Sequence, residues 1–434
     1  MKLFGTSGIR RIADRELYEL AFNVGLAVGR LYGSVVVGRD TRTSGDVIKH
    51  AFMSGVLASG ATCSDCGIVP TPTLALAAAD FEAGAVITAS HNPPEYNGIK
   101  LVNPDGSAFS SEQENQIEEL VAGENIPVSA WQDIGPSITE NGIVEKHIGH
   151  ILKNISPGRN IKVVLDCGGG AGSVITPELL KRLGCEVLEM NCFPTGFFPR
   201  AVEPLPENLT DLIQATREMG ADLGIAHDGD ADRMMAVDDK GRFIPGDKLL
   251  VLFSQHIGAK EVVTTLDASM VIDDMGFDIA RTPVGDTHVS NRLKISGQFG
   301  GEPSGSWIFP ENSLCPDGIY AAARMVSIAR DNKISELMDN IPQYPILRGS
   351  VVTQGPGNNA LDEKLLSLKP VSVNNIDGTR LRFEDGWLLI RASGTEPKIR
   401  ITAEAKTESR LHEIYDSGLN IINESIRETG GVSG

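Results

Sequence analysis

Lys162-Val163-Val164-Leu165-Asp166, a helical stretch from Thr176 to Leu183, and Gly184-Cys185-Glu186-Val187 running on to Pro194 read as strand, helix, glycine turn and second strand. The same plan occurs twice more. Upstream it is Val35-Val36-Val37-Gly38-Arg39-Asp40, a helix through Val56-Leu57, then Gly60-Ala61-Thr62-Cys63 and on to Pro70. Downstream it is Glu261-Val262-Val263-Thr264-Thr265-Leu266-Asp267, a helix about Met270 to Met275, then Gly276-Phe277-Asp278-Ile279 and on to Pro283. Strand–helix–strand units build parallel or mixed sheets covered by helices, so the repeat predicts a triplicated α/β domain.

Polar, Pro- and Gly-rich linkers fall near residues 133–142, 238–246 and 340–349. Beyond the last of them the pattern changes. Arg380-Leu381-Arg382-Phe383-Glu384, Trp387-Leu388-Leu389-Ile390-Arg391 and Ile399-Arg400-Ile401-Thr402-Ala403-Glu404 read as antiparallel strands, followed by a helix from Ser409 to Ile426. The expected fold is α/β: three similar mixed-sheet α/β domains at 1–142, 143–244 and 245–343, plus a smaller C-terminal α+β domain at 344–434.

With 434 residues, 41% of them hydrophobic, the chain has ample material for several cores. Its net charge of −18, from 39 basic and 57 acidic residues, argues against nucleic acid or an anionic membrane as partner. The longest apolar stretch, Leu74 to Thr88, is broken by Asp80 and Glu82, and Met1-Lys2-Leu3-Phe4-Gly5 has no signal-peptide core, so a cytoplasmic location is expected. Six cysteines over this length make no disulfide framework, and Cys63-Ser64-Asp65-Cys66 lacks the second pair a zinc site needs. Against the acidic background, Arg10, Arg39, Arg42, Lys100, Arg233, Arg391, Lys398 and Arg400 fall in or beside Gly/Ser/Thr-rich loops, where a phosphate could collect donors.

Two motifs carry the chemistry. Thr88-Ala89-Ser90-His91-Asn92-Pro93-Pro94 ends an apolar strand with a hydroxyl able to hold a phosphoryl group. Asp228-Gly229-Asp230-Ala231-Asp232-Arg233 puts three carboxylates on alternate residues between the apolar runs Leu223–Ala226 and Met234–Val237. Carboxylates about 4 Å apart repel by roughly 4 kcal/mol per pair at an effective dielectric near 20, so the loop calls for a cation. Oxygen-only ligands favour Mg²⁺ or Mn²⁺ over Zn²⁺. An EF-hand is excluded by Arg233 at the sixth position, where Gly is needed. The run Gly168-Gly169-Gly170-Ala171-Gly172-Ser173 fails both the dinucleotide and the P-loop signatures and reads as a tight turn.

Gly301-Glu302-Pro303-Ser304-Gly305-Ser306-Trp307 offers a carboxylate and hydroxyls suited to sugar hydroxyls. Arg391-Ala392-Ser393-Gly394-Thr395-Glu396-Pro397-Lys398-Ile399-Arg400 clusters cations and hydroxyls as a phosphate cradle does. With Gly5-Thr6-Ser7-Gly8-Ile9-Arg10 and the two motifs above, these loops resemble, in order and along essentially the whole chain, the α-D-phosphohexomutase family. The resemblance implies four domains around a central cleft. It implies that Ser90 is the phosphorylated serine, that Asp228, Asp230 and Asp232 hold one Mg²⁺ per chain with a phosphoserine oxygen, and that Arg10, Lys100 and His91 act at the site. Arg233 would contact the phosphoserine or the sugar, Glu302 and Ser304 the sugar ring, and Arg391, Ser393, Gly394, Thr395 and Arg400 the distal phosphate.

A hexose 1,6-bisphosphate intermediate, a small sugar phosphate as the partner, and a monomer or homodimer belong to the same expectation. Some relatives carry a histidine at the sixth position of the sugar loop, where this chain has Ser306. Lys100, held between cations, is then either a general base with a lowered pKa or a plain phosphate contact. The cradle and Val284-Gly285-Asp286 look like phosphoglucosamine mutases, and Glu302 to Phe309 looks like archaeal members, with mannose and glucose phosphates as alternatives. The Asp228-x-Asp230 pair also resembles the nucleophile of haloacid-dehalogenase-type phosphatases. Asp232 stands where those enzymes have Thr or Val, which argues against it.

Overall fold

The computed structural model describes residues 2–5, 7–123, 126–353, 364–392 and 398–428. Four sheets follow one another along the chain. The first has six strands in the order Ile9–Ile12, Tyr96–Val102, Ala83–Ile87, Ser34–Arg39, Thr62–Ile68, Ser137–Thr139. Its centre is parallel and buried on both faces, as Val35, Val36, Val37, Ala85, Val86 and Ile87 require. Helices Arg15–Leu31 and Gly45–Ala58 cover one face. They approach closely because Gly25 and Gly55 lie at the crossing, where a Cβ on either would overlap the facing backbone oxygen. Residues 133–142, expected as a linker, contribute Ser137–Thr139 as an edge strand, because an extended segment there can pair with the open edge at Cys63–Asp65.

The second sheet orders Phe243–Ile244, Met234–Val237, Leu223–His227, Lys162–Asp166, Glu186–Met190, and the third Asp278–Thr282, Glu261–Thr265, Phe299–Gly301, Trp307–Ile308. Both are mixed, with parallel pairs next to one antiparallel hairpin or meander. Strand, connecting element and strand recur in all three sheets as the repeat predicted. The third connection, however, is a 3₁₀ turn, Met270–Met275, and not an α-helix. The Ser269 cap and a left-handed Gly276 (φ 81°) confine the connection to six residues, a short piece of the kind 3₁₀ geometry serves. The fourth sheet is wholly antiparallel, Ile346–Val352, Lys398–Ala405, Gly386–Ala392, Thr379–Arg382, Ser372–Asn374, with helix Glu408–Glu428 on it.

The second and third sheets share one continuous core, which runs from Val163 and Ile225 on the second sheet to Phe253, Phe299 and Trp307. Trp307 Nε1 donates to Met234 O at 2.8 Å, stitching the two together. The fourth sheet has its own core and meets the third through Leu266, Trp387 and Leu389. In each of the first three sheets an antiparallel pair ends in a turn that reaches one common cleft: residues 88–95, 228–233 and 302–306. In the fourth, Gly386–Ala392 and Lys398–Ala405 pair on either side of residues 393–397, which lie outside the described residues. No helix among the described residues is long and apolar enough to cross a membrane.

Candidate active site

Ser90 leaves the end of strand Ala83–Ile87 with φ 50°, a left-handed conformation rare for a residue with a Cβ. Arg42 holds it there. The guanidinium, fully buried, donates to Asp40 Oδ2 and to the carbonyls of Ser90, Asn92, Pro93 and Tyr96 at 2.6–3.0 Å. Thr88 adds two bonds, donating to Asp40 Oδ2 at 2.7 Å and accepting from Ser90 N at 2.8 Å. Arg42 is therefore scaffold and not a phosphate ligand, contrary to expectation, because every N–H it has is consumed. Arg39 is also diverted, to Asp46 at 2.8 and 2.9 Å.

Opposite stands the acidic loop. It too contains a non-glycine residue at positive φ, Ala231 at 54°. Ser90 Oγ donates to Asp228 Oδ2 at 2.7 Å and lies 3.3 Å from His91 Nδ1. The carboxylates of Asp228, Asp230 and Asp232 are buried, and each offers an oxygen within 4.8 Å of the others. Burial pushes the Asp228 carboxyl well above the usual range, with Asp232 and Asp230 adding to it. At Asp230 burial acts the same way, but the Lys100 ammonium outweighs it and holds that group below the usual range. Oδ1 of Asp230 and Oδ1 of Asp232 are buried with no hydrogen-bond partner. Three converging carboxylates with two orphaned oxygens, and no sulfur or nitrogen among them, fit a hard divalent cation.

Lys100 differs from expectation. Its Nζ lies 2.8 Å from Asp230 Oδ2 and 2.6 Å from Asp232 Oδ2. Burial alone would lower its pKa, but these two carboxylates raise it above the ordinary value, so it is a fixed cation and not a general base in this state. His91 is the opposite case. Burial, reinforced by Arg233, Arg10 and Lys100, pushes it down to about 2, so its ring is neutral.

A cleft of about 600 Å³ opens beside Ser90 and draws its walls from all four sheets. Arg10 and His91 come from the first and Asp232 and Arg233 from the second; Glu302 and Ser304 come from the third and Arg391 and Arg400 from the fourth. Lys100, Asp228 and Asp230 lie just behind, through the bonds already described. Ser393, Gly394 and Thr395 lie outside the described residues. Burial pushes Glu302 up to about 8, helped by Asp286 and Asp267 and opposed by Arg233 and the Gly285 N–H at 2.9 Å. The shift favours the protonated carboxyl, which can donate as well as accept. The sugar loop is seated on the acidic hairpin: Arg233 bridges Ser306, and Met234 N donates to Gly305 O at 3.0 Å.

Several supporting residues escaped the sequence reading. Thr71 clamps Asp230, its N–H on the carbonyl at 2.9 Å and its hydroxyl on Oδ2 at 2.5 Å. Pro70-Thr71-Pro72 at a helix start was the available signal. Gly170 belongs to the glycine-rich turn, and a Cβ there would stand 2.8 Å from Asp228 O, so the run is a turn shaped to the acidic loop.

Three α/β sheets and a fourth antiparallel one, a buried serine against three carboxylates, and a cation-lined cleft shared by every sheet define a phosphohexomutase, an intramolecular phosphotransferase. Comparison with known proteins agrees. The chain belongs to the phosphoglucomutase/phosphomannomutase family, matching its alpha/beta/alpha domain I over residues 1–126, domain II over 145–241, domain III over 245–344 and the C-terminal domain over 357–418. It is 48% identical over 437 residues to a probable phosphoglucosamine mutase of Methanosarcina barkeri, covering 98% of this chain and 100% of that one. It is 41% identical to the phosphoglucosamine mutase of Methanocaldococcus jannaschii, covering 98% and 99%. Among solved structures it is similar to a phosphoglucomutase/phosphomannomutase family protein from Burkholderia thailandensis, with TM-score 0.86, 27% identity and 97% of each chain covered.

Proposed function

We propose that the protein interconverts glucosamine 6-phosphate and glucosamine 1-phosphate, with Ser90 as the phosphoryl carrier and domains at 1–142, 143–244, 245–343 and 344–434. The observation that carries this is the Ser90 Oγ contact with Asp228 at the mouth of a cleft walled by all four sheets. Asp228, Asp230 and Asp232 would hold Mg²⁺, which when bound supplies charge neutralisation at the transferring phosphoryl group. Phosphorylated Ser90 gives its phosphoryl group to the free C1 hydroxyl of the 6-phosphate. The Ser90 Oγ–P bond breaks, the C1 O–P bond forms, the C1 hydroxyl proton ends on Ser90 Oγ, and glucosamine 1,6-bisphosphate results. After that intermediate turns end for end, Ser90 Oγ takes the phosphoryl group from O6 and the 1-phosphate leaves.

The loose transition state of phosphoryl transfer rewards positioning and charge over strong bases, which suits a site whose lysine stays protonated and whose histidine stays neutral. Arg391 and Arg400, with Ser393, Gly394 and Thr395, are the proposed cradle for whichever phosphate is not reacting. Arg10 and Arg233 offer charge near Ser90, and Glu302 and Ser304 offer hydrogen bonds to ring hydroxyls.

The amino sugar is favoured by the cleft's third wall. Asp247, Asp267 and Asp286 line it, and none has an ion-pair partner among the described residues. Each accepts a neutral hydrogen bond, from Ser269 N, Thr265 Oγ1 and Thr287 N respectively, and a C2 ammonium would add a charged partner that a neutral hydroxyl does not. The test is turnover of glucosamine, mannose and glucose 6-phosphates with a catalytic amount of each bisphosphate. Glucosamine phosphate should lead in kcat/KM by tenfold or more, about 1.4 kcal/mol of transition-state preference. Asp286→Asn should shrink that lead. An unchanged ratio, or a lead for glucose phosphate, would reassign the substrate.

A further inference from the structure

His147 is a buried imidazole that the proposed chemistry does not use. It lies on helix Ile143–Asn154, which leaves the first sheet's edge strand and enters the second sheet's core, with Ile143 packed among Val36, Val69 and Leu74 and with Ile148 and Ile151 in the second core. The ring is 1% exposed and bonded at both nitrogens: Nδ1 meets Thr73 Oγ1 at 2.9 Å, and Nε2 meets Asp317 Oδ2 at 3.1 Å. Asp317 Oδ2 can only accept, so Nε2 carries a proton and donates.

Each partner is one step from the acidic loop, on opposite sides of it. Thr73 is in the short helix Thr71–Ala77, whose first residue clamps both the carbonyl and the carboxylate of Asp230. Asp317 caps helix Gly318–Asp331, accepting from Tyr320 N at 2.9 Å and also from Asn312 Nδ2 at 2.8 Å. The next residue, Gly318, lies against the loop's other flank, where a Cβ would overlap Arg233 O and come within 2.7 Å of Ala231 O. One imidazole thus ties together an element of the first domain and an element of the third that grip the loop between them. Asp230 and Asp232, the residues with orphaned oxygens, sit inside that grip.

We infer that His147 is a positioning residue for the cation site, fixing through Thr73 and Asp317 the spacing of the carboxylates that receive the metal. The inference rests on the assignment of Asp228, Asp230 and Asp232 as cation ligands. Groups that orient metal ligands indirectly typically change affinity by roughly ten- to a hundredfold, and the lower end of that range is expected here.

The test titrates the purified full chain with Mn²⁺, reading bound metal by electron paramagnetic resonance, alongside thermal unfolding. His147→Phe should raise the Mn²⁺ dissociation constant roughly tenfold. Ile151→Ala, a cavity on the same helix away from the network, should lower the unfolding temperature and leave Mn²⁺ binding within about twofold of the unaltered protein. Should His147→Phe not fold, Thr73 decides the matter. Thr73→Val, which removes the hydroxyl at nearly constant shape, should weaken Mn²⁺ binding, and Thr73→Ser should restore it. Equal Mn²⁺ affinity in Thr73→Val and Thr73→Ser, or in His147→Phe and Ile151→Ala, would overturn the inference. If the unaltered protein bound no Mn²⁺, the cation assignment itself would fall, and this inference with it.

Discussion

Single side chains divide the labour at this site by what burial does to their charge. Arg42 shows the scaffold role. Arg42→Met should leave Asp40 buried without its partner and free four loop carbonyls, at a loss of about 3–5 kcal/mol in denaturant unfolding. Arg42→Lys keeps the charge but cannot reach five acceptors, so it should still lose most of the activity. Glu302 gives a pH signature. Its folded value of about 8 lies above its ordinary 4.5. Below 4.5 the folded and unfolded chains both hold the proton and this contribution to stability is fully present; it is lost as pH rises through about 8, because only the unfolded chain ionises easily. Glu302→Gln should therefore flatten the metal-free protein's fall in stability between about pH 5 and 8, and an unchanged slope would contradict the assignment. The sequence made Ser90 and the three aspartates legible, since their spacing is local. It could not show where Lys100 and Arg42 point, because the partners that fix them are 130 and 48 residues away in the chain.

At the level of elements, one device recurs in the first three sheets: an antiparallel pair of strands ends in a turn that faces the cleft. Strand runs such as Val35–Val37 and Val262–Val263 announce their sheets through β-branched residues, and the repeat was legible for that reason. The 3₁₀ turn at Met270–Met275 and the edge strand at Ser137–Thr139 were not, since each depends on a neighbour that the local pattern does not name. The glycine-rich turn is the clearest case of tertiary meaning. Gly170→Ala would drive a methyl to within 2.7 Å of Gly229 O and 2.8 Å of Asp228 O. Thermal unfolding should register a loss of about 1–3 kcal/mol, as overpacking does, and Mn²⁺ binding should weaken with it. Wild-type affinity in Gly170→Ala would show that the acidic loop does not lean on this turn.

For the whole molecule, the fourth sheet has a core of its own and meets the third through Leu266, Trp387 and Leu389. Glu404, 1% exposed, accepts from Ser269 Oγ and from Met270 N at 2.7 Å across that boundary, and from Trp387 Nε1 at 2.5 Å within its own sheet. Nearer the cleft, Asp377 accepts from Val284 N at 3.0 Å while pairing with Arg391 at 3.1 Å. Asp377 thus occupies one of the cations that line the cleft. Glu404→Ala orphans three donors and should weaken sugar-phosphate binding as well as stability, by about 1–3 kcal/mol per donor left buried and unpaired. The most direct measurement of the central claim follows one phosphorus atom. Protein charged with ³²P by labelled bisphosphate and freed of excess should carry the label on Ser90 and pass it to added hexose monophosphate, and Ser90→Ala should neither take label nor isomerise. Label on Asp228, or isomerisation by Ser90→Ala at the unaltered rate, would contradict it.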